Sequence, residues 1–250
     1  MPIFDDGYLI RNHYYLGTRN AGPSRKLTGK IAIIHILLND PMSSWVYPGH
    51  VTEYEKAVTS MSAKLMAAAA LAGTRITIQS VYCQANLPMI ADASGNWVPL
   101  LFRSLGYADA GEMQRAYELK TGCDEAPIMI ALNRPMRSFA AIRNDRSLAR
   151  GDEFSVVFRH TLGTFDPIVL GHELLHQFGA VDYYYPDITV QAARRYFPRS
   201  IMFENGPEVD DLTRYLIGWK DTLTPTAMAF LRDTASVNDA VILAAKLRGV

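Results

Sequence analysis

The stretch VLGHELLHQFGAVDYYYP, Val169 to Pro186, constrains this chain more than any other. His172 and His176 stand four residues apart, with Glu173 directly after the first. Gly179 follows three residues after the second histidine, and Asp182 three after that. On an α-helix, residues four apart share one face with Cβ atoms about 6 Å apart. Both imidazoles can therefore aim a nitrogen at one ion, at about 2.0–2.1 Å for zinc. Glu173 is rotated about 100° around the helix, outside that ligand pair but beside a water held there. Zinc lowers the pKa of such a water to roughly 7, and a neighbouring carboxylate can take its proton during attack on a carbonyl. Gly179 can enter the left-handed region, end the helix and turn the chain back, so that Asp182 reaches the same ion as a third ligand. An aspartate there lowers the site's net charge and should make the water less acidic than a histidine would. With six histidines in 250 residues, chance supplies an HExxH match in roughly 0.005 of such chains. A metal site is the stronger reading than a helix that merely packs two histidines.

The surrounding pattern predicts an α/β domain spanning 1–250, with a sheet-containing part over 1–165 and a helical part over 166–250. KIAIIHILLND, TRITIQSVYC, APIMIAL and EFSVVFRH read as strands by apolar, β-branched or alternating composition, and SFAAIR as a short edge strand. PGHVTEYEKAVTSMSAKLMAAAALAG has a helical pattern closing at Gly73, and FRSLGYADAGEMQRAYELKTG carries one or two short helices. Asp166 is a fair N-cap and Pro167 suits a first helical turn, so the motif helix starts there. A last helix is expected near Asn238–Leu247, and the Tyr/Pro/Arg segment after the motif reads as irregular. Strands and helices alternate early and helices dominate later, which suggests a mixed, mostly parallel twisted sheet with the motif helix packed below it.

Charge narrows the partners. Lysine plus arginine equals aspartate plus glutamate at 25 each, so no global field draws nucleic acid or an anionic membrane. No apolar run is long enough to span a bilayer, and the N-terminus lacks a secretory h-region, which favours a cytoplasmic protein. Export by another route, or a trimmed leader, remains open. Cys83 and Cys123 make no disulfide framework and read as thiols. His35, within an apolar strand, reads as a core histidine, and His13, His50 and His160 lack partners at ligand spacing.

HELLHQFGAVD resembles the metzincin zinc peptidases, whose motif is HExxHxxGxxH, with Asp replacing the last His in some members. SIMFENG downstream is similar to their methionine turn, and DDLTRYLIGW to the start of their C-terminal helix. The resemblance implies one catalytic zinc held by His172, His176 and Asp182, with Glu173 as general base. It implies structural support from Gly179 and Met202, and a peptide or protein substrate. Phe203, Pro207 and Val209 would line the pocket after the cut bond. Glu204 stands where some members carry a tyrosine, so no tyrosine role transfers to it; Tyr183, Tyr184 or Tyr185 could donate to the oxyanion or simply pack. Two alternatives stay open. A gluzincin-type site would take Glu204 or Glu208 as third ligand, and a non-catalytic zinc domain would bind a partner through the cleft.

Overall fold

The computed structural model describes residues 13–21, 24–92, 95–141, 153–160 and 163–237. Its centre is a five-stranded sheet in the order β2-β1-β3-β5-β4. Here β1 is Gly29–Asn39, β2 Ile76–Asn86, β3 Ile128–Pro135, β4 Phe139–Ala141 and β5 Phe154–Arg159. The pairs β1–β2, β1–β3 and β3–β5 are parallel, while the edge strand β4 runs antiparallel to β5. The architecture is α/β with a mostly parallel sheet, as the alternation of elements suggested. The helices are α1 Pro48–Leu71, α2 Val98–Ser104, α3 Ala110–Thr121, α4 Pro167–His176, α5 Asp187–Tyr196, α6 Asp211–Leu216 and α7 Pro225–Asp233.

Strand β1 shows why both faces of the sheet must be covered. Ile31, Ile33 and Leu37 point into a core shared with α1, α4 and the later helices, while Ile34, Ile36 and Leu38 point into a second core with α2 and α3. A parallel sheet buried on both sides reads as a continuous apolar run, as KIAIIHILL does. Burying each such Ile or Leu stabilises the fold by about 1.5–3 kcal/mol.

Several expectations shift at their edges. β2 runs through Asn86, past the TRITIQSVYC stretch, and α2 begins at Val98. The segment read as irregular contains α5; its buried face is Thr189, Ala192 and Ala193, too weakly apolar to show in the pattern. α7 was also missed, although the Thr224 hydroxyl caps it and Pro225 opens it. The helix expected near Asn238–Leu247 lies outside the described residues. No helix among the described residues is long and apolar enough to cross a membrane. Both cysteines are free and half-buried against the α2/α3 core, where burial pushes the Cys83 thiol up to about 11.

His35 takes the inward position between Ile33 and Leu37. Its Nδ1 lies 2.9 Å from the Tyr54 hydroxyl and its ring stacks on Tyr82. Burial pushes its pKa down to about 3. The unfolded chain takes up this proton near pH 6.5, whereas the folded chain does not until about pH 3. His35 thus contributes its full stability above pH 6.5 and loses it as pH falls through that window. Urea unfolding of wild type beside His35→Leu should show a pH slope shallower in the variant by about 1.4 kcal/mol per pH unit between pH 6 and 4; equal slopes would mean that His35 is charged in the native state.

Candidate metal centre

Helix α4 presents the motif. The Asp166 carboxylate accepts the Ile168 N–H at 2.8 Å, and Pro167 occupies the first turn. Behind the helix, Gln177 is fully buried and joins it to the sheet. Its Oε1 accepts the Ile128 N–H at 3.1 Å, and its Nε2 donates to the Ile128 carbonyl at 2.9 Å and to Ser155 Oγ at 2.8 Å. Ser155 Oγ in turn donates to the Glu173 carbonyl at 2.6 Å. These bonds set the height of α4 against β3 and β5, and with it the position of every side chain on the motif face.

After His176 the chain turns at Gly179, where φ is +94° and a Cβ would lie 2.6 Å from the Thr18 carbonyl oxygen. No residue with a side chain fits there without strain. The returning chain does two things. Ala180 offers its carbonyl to His176 Nδ1–H at 2.9 Å, and Asp182 swings back over the helix. From the other side, the turn that contains Met202 offers the Ile201 carbonyl to His172 Nδ1–H at 2.8 Å. A carbonyl only accepts, so both imidazoles carry their proton on Nδ1 when neutral. Both Nε2 lone pairs then face inward.

The consequence is a convergence of acceptors. The two Nε2 atoms are 3.1 Å apart, and Asp182 Oδ1 lies 3.1 and 3.2 Å from them, buried and with no hydrogen-bond donor. Three acceptors this close repel one another unless a cation joins them. A proton is one such cation. Burial works against charging His176, but the Asp182 carboxylate beside it outweighs this and pushes its pKa up to about 9. Burial likewise opposes ionisation of Asp182, yet His176 and His172 overcome it and hold the carboxyl far below its usual range. Two imidazole nitrogens and one carboxylate oxygen are also a donor set that suits zinc, and the residues present fit that ion. Among the described residues, no fourth His, Cys, Asp or Glu joins the group.

Glu173 lines the same cleft, and its Oε2 is buried without a hydrogen-bond partner. Burial raises its pKa above the ordinary carboxylate value, while His172 and His176 pull the other way. The cleft measures about 970 Å³. β4 and the segment Met136–Ser138, Val169 and Leu170 of α4, and Tyr184, Glu204 and Asn205 all line it.

Not every expected residue lies in the cleft. Phe203 and Val209 are buried in the core shared with α1 and α4, and neither they nor Pro207 are among the cleft-lining residues. Their hydrophobicity draws them inward, and Glu204 and Asn205, both at positive φ, take the exposed side of the turn. Glu204 and Glu208 face Arg194 at 3.9 Å and Arg199 at 2.8 Å rather than the histidines. Met202 is fully buried, and its carbonyl accepts the Tyr183 N–H at 3.1 Å. Cys123 packs against the α2/α3 core and is not among the cleft-lining residues. Of the other histidines, His13 accepts the Tyr15 N–H, His50 faces Asn133 and Arg159, and His160 lines the outer cleft.

Asp210 is the residue that sequence reasoning underused. Nearly buried, it caps α6 through the Thr213 N–H at 2.9 Å. It also accepts from the hydroxyls of Ser200 at 2.5 Å, Thr213 at 2.6 Å and Tyr183 at 3.2 Å. One carboxylate thus ties the Met202 turn, the chain leaving Asp182 and helix α6 together. Its place before an apolar helical run was the available signal. No known family model matches the chain, and no curated protein matches it.

Two outcomes follow. Asp210→Ala strands three buried hydroxyls and should cost about 3 kcal/mol in urea unfolding; a loss below 1 kcal/mol would mean that the turn holds without it. In zinc titrations, Asp182→Ala should weaken binding by at least about tenfold, with Glu204→Ala and Glu208→Ala unchanged. The reverse pattern would move the third ligand.

Proposed function

We propose that this chain is a zinc-dependent peptidase of metzincin type. The observation that carries the reading is the convergence of His172 Nε2, His176 Nε2 and Asp182 Oδ1 at 3.1–3.2 Å in an open cleft, with the unpartnered Glu173 carboxylate beside them. The motif HELLHQFGAVD and the SIM turn resemble that clan independently of the geometry. A set of three protein ligands favours catalysis over a structural role, since structural zinc sites usually close with four. Bound there, zinc would supply Lewis acidity, polarising the scissile carbonyl and lowering the pKa of the attacking water.

The chain's own residues do the rest. Glu173 accepts a proton from the attacking water and, once the tetrahedral centre collapses, returns it to the leaving amine nitrogen. Burial suits it to the first half of that exchange, because a carboxylate whose pKa is raised above its ordinary value accepts a proton more readily. The carbonyls of Ile201 and Ala180 hold His172 and His176 in one tautomer and orientation throughout. β4 is an antiparallel edge with no further strand beside it among the described residues, and it lines the cleft. An extended peptide adding to that edge would carry its backbone past Glu173.

Zinc-loaded wild type and Glu173→Ala, incubated with a mixed peptide library and read by mass spectrometry, test this. Glu173→Ala should bind one zinc as wild type does and lose turnover by about 10²–10⁴-fold. Full cleavage by the variant would remove Glu173 from the mechanism, and no cleavage by either would leave a zinc-binding module.

A further inference from the structure

We infer that Tyr184 is the residue that stabilises the negative charge forming on the substrate carbonyl oxygen; the inference rests on the peptidase reading above. Attack of water on an amide shifts the carbonyl π pair onto oxygen. A donor aimed at that oxygen in a partly dry site lowers the barrier, because the charge it meets exists only near the transition state. The cleft must therefore hold a donor that sits beside the ligand cluster and can change partner.

Three tyrosines of the region differ in what holds their hydroxyls. Tyr183 is fully buried, and its hydroxyl is engaged with Asp210 and Thr213. Tyr15 is buried too, with its hydroxyl 2.6 Å from Thr189 Oγ1. Tyr184 is half-buried on the cleft wall, its ring lying against the His172 imidazole, with centroids 5.8 Å apart and planes 25° from parallel. Its hydroxyl donates to Asn205 Oδ1 at 3.3 Å, near the long limit for such a bond. Exchanging so long a bond for a charged acceptor is favourable, since bonds to charged groups are stronger. The phenol thus reaches from the His172 imidazole to the loop after Met202, on the lining of the cleft that holds the cluster. Its proton stays on the phenol throughout, and only its partner changes.

Other donors and neighbours fit less well. Glu204, next to Asn205, is a carboxylate that accepts only and extends into water. Arg137 lines the cleft but is exposed, and a charge in water stabilises an oxyanion less than a donor shielded from it.

Tyr184→Phe keeps the ring against His172 and removes only the hydroxyl. On a fluorogenic peptide taken from the wild-type cleavage sites, kcat should fall on the order of a hundredfold, with KM, zinc stoichiometry and thermal midpoint close to wild type. Calorimetry with a phosphinic peptide, whose charged tetrahedral oxygen imitates the transition state, should show affinity falling by a comparable factor. The inference is overturned if the variant binds the phosphinic peptide as tightly as wild type, or if wild type does not bind it. Failure of the peptidase reading itself looks different: wild type would then cleave no more than Glu173→Ala, whereas failure of the inference alone leaves wild-type cleavage intact and Tyr184→Phe equal to it.

Discussion

Three acceptor atoms that face one another in a buried pocket need a cation between them, and much of the lower half of this protein is arranged to keep them facing. Neutral imidazoles can turn either nitrogen outward. Here the Ile201 and Ala180 carbonyls take the Nδ1 protons, so the Nε2 lone pairs have no alternative partner. Asp182 completes the set only because the chain reverses at Gly179, against the Thr18 carbonyl. Preorganised acceptors of this kind cost stability when empty of charge and recover it on binding a cation, which couples metal affinity to folding.

Support for the pocket comes from two buried polar networks on opposite sides. Gln177 and Ser155 fix α4 to the ends of β3 and β5, from the sheet side. Asp210 fixes the Met202 turn and the chain after Asp182 from below. Each is well satisfied, and in a low-dielectric core such networks favour one arrangement strongly over its neighbours. Between them lies an open cleft rather than a closed cavity. The sheet edge β4 and the residues Tyr184 and Asn205 line that cleft, while the three acceptors are held in place.

That His172, His176 and Asp182 come together was legible because fixed helical spacing leaves few alternatives: two histidines four apart, a glutamate, and a glycine where the chain must reverse. The strands were legible for a similar reason, since β1 must be apolar on both faces. What could not be read is mostly backbone or long-range. The Ile201 and Ala180 carbonyls have no residue-type signature, because any residue there offers the same oxygen. Gln177 meets Ile128 across 49 positions of sequence, and nothing local marks the pair. Phe203 and Val209 lie in the core rather than among the cleft-lining residues, and hydrophobicity alone cannot say which residues of a tight turn face a cleft and which face the core. α5 was hidden by a buried face of alanine and threonine.

X-ray absorption at the zinc edge on the wild-type protein, loaded with one equivalent, tests the central claim most directly. The account predicts two imidazole nitrogens at about 2.0–2.1 Å, with oxygen completing the shell and no sulfur. A sulfur shell near 2.3 Å, a third imidazole, or failure to hold one equivalent of zinc would contradict it.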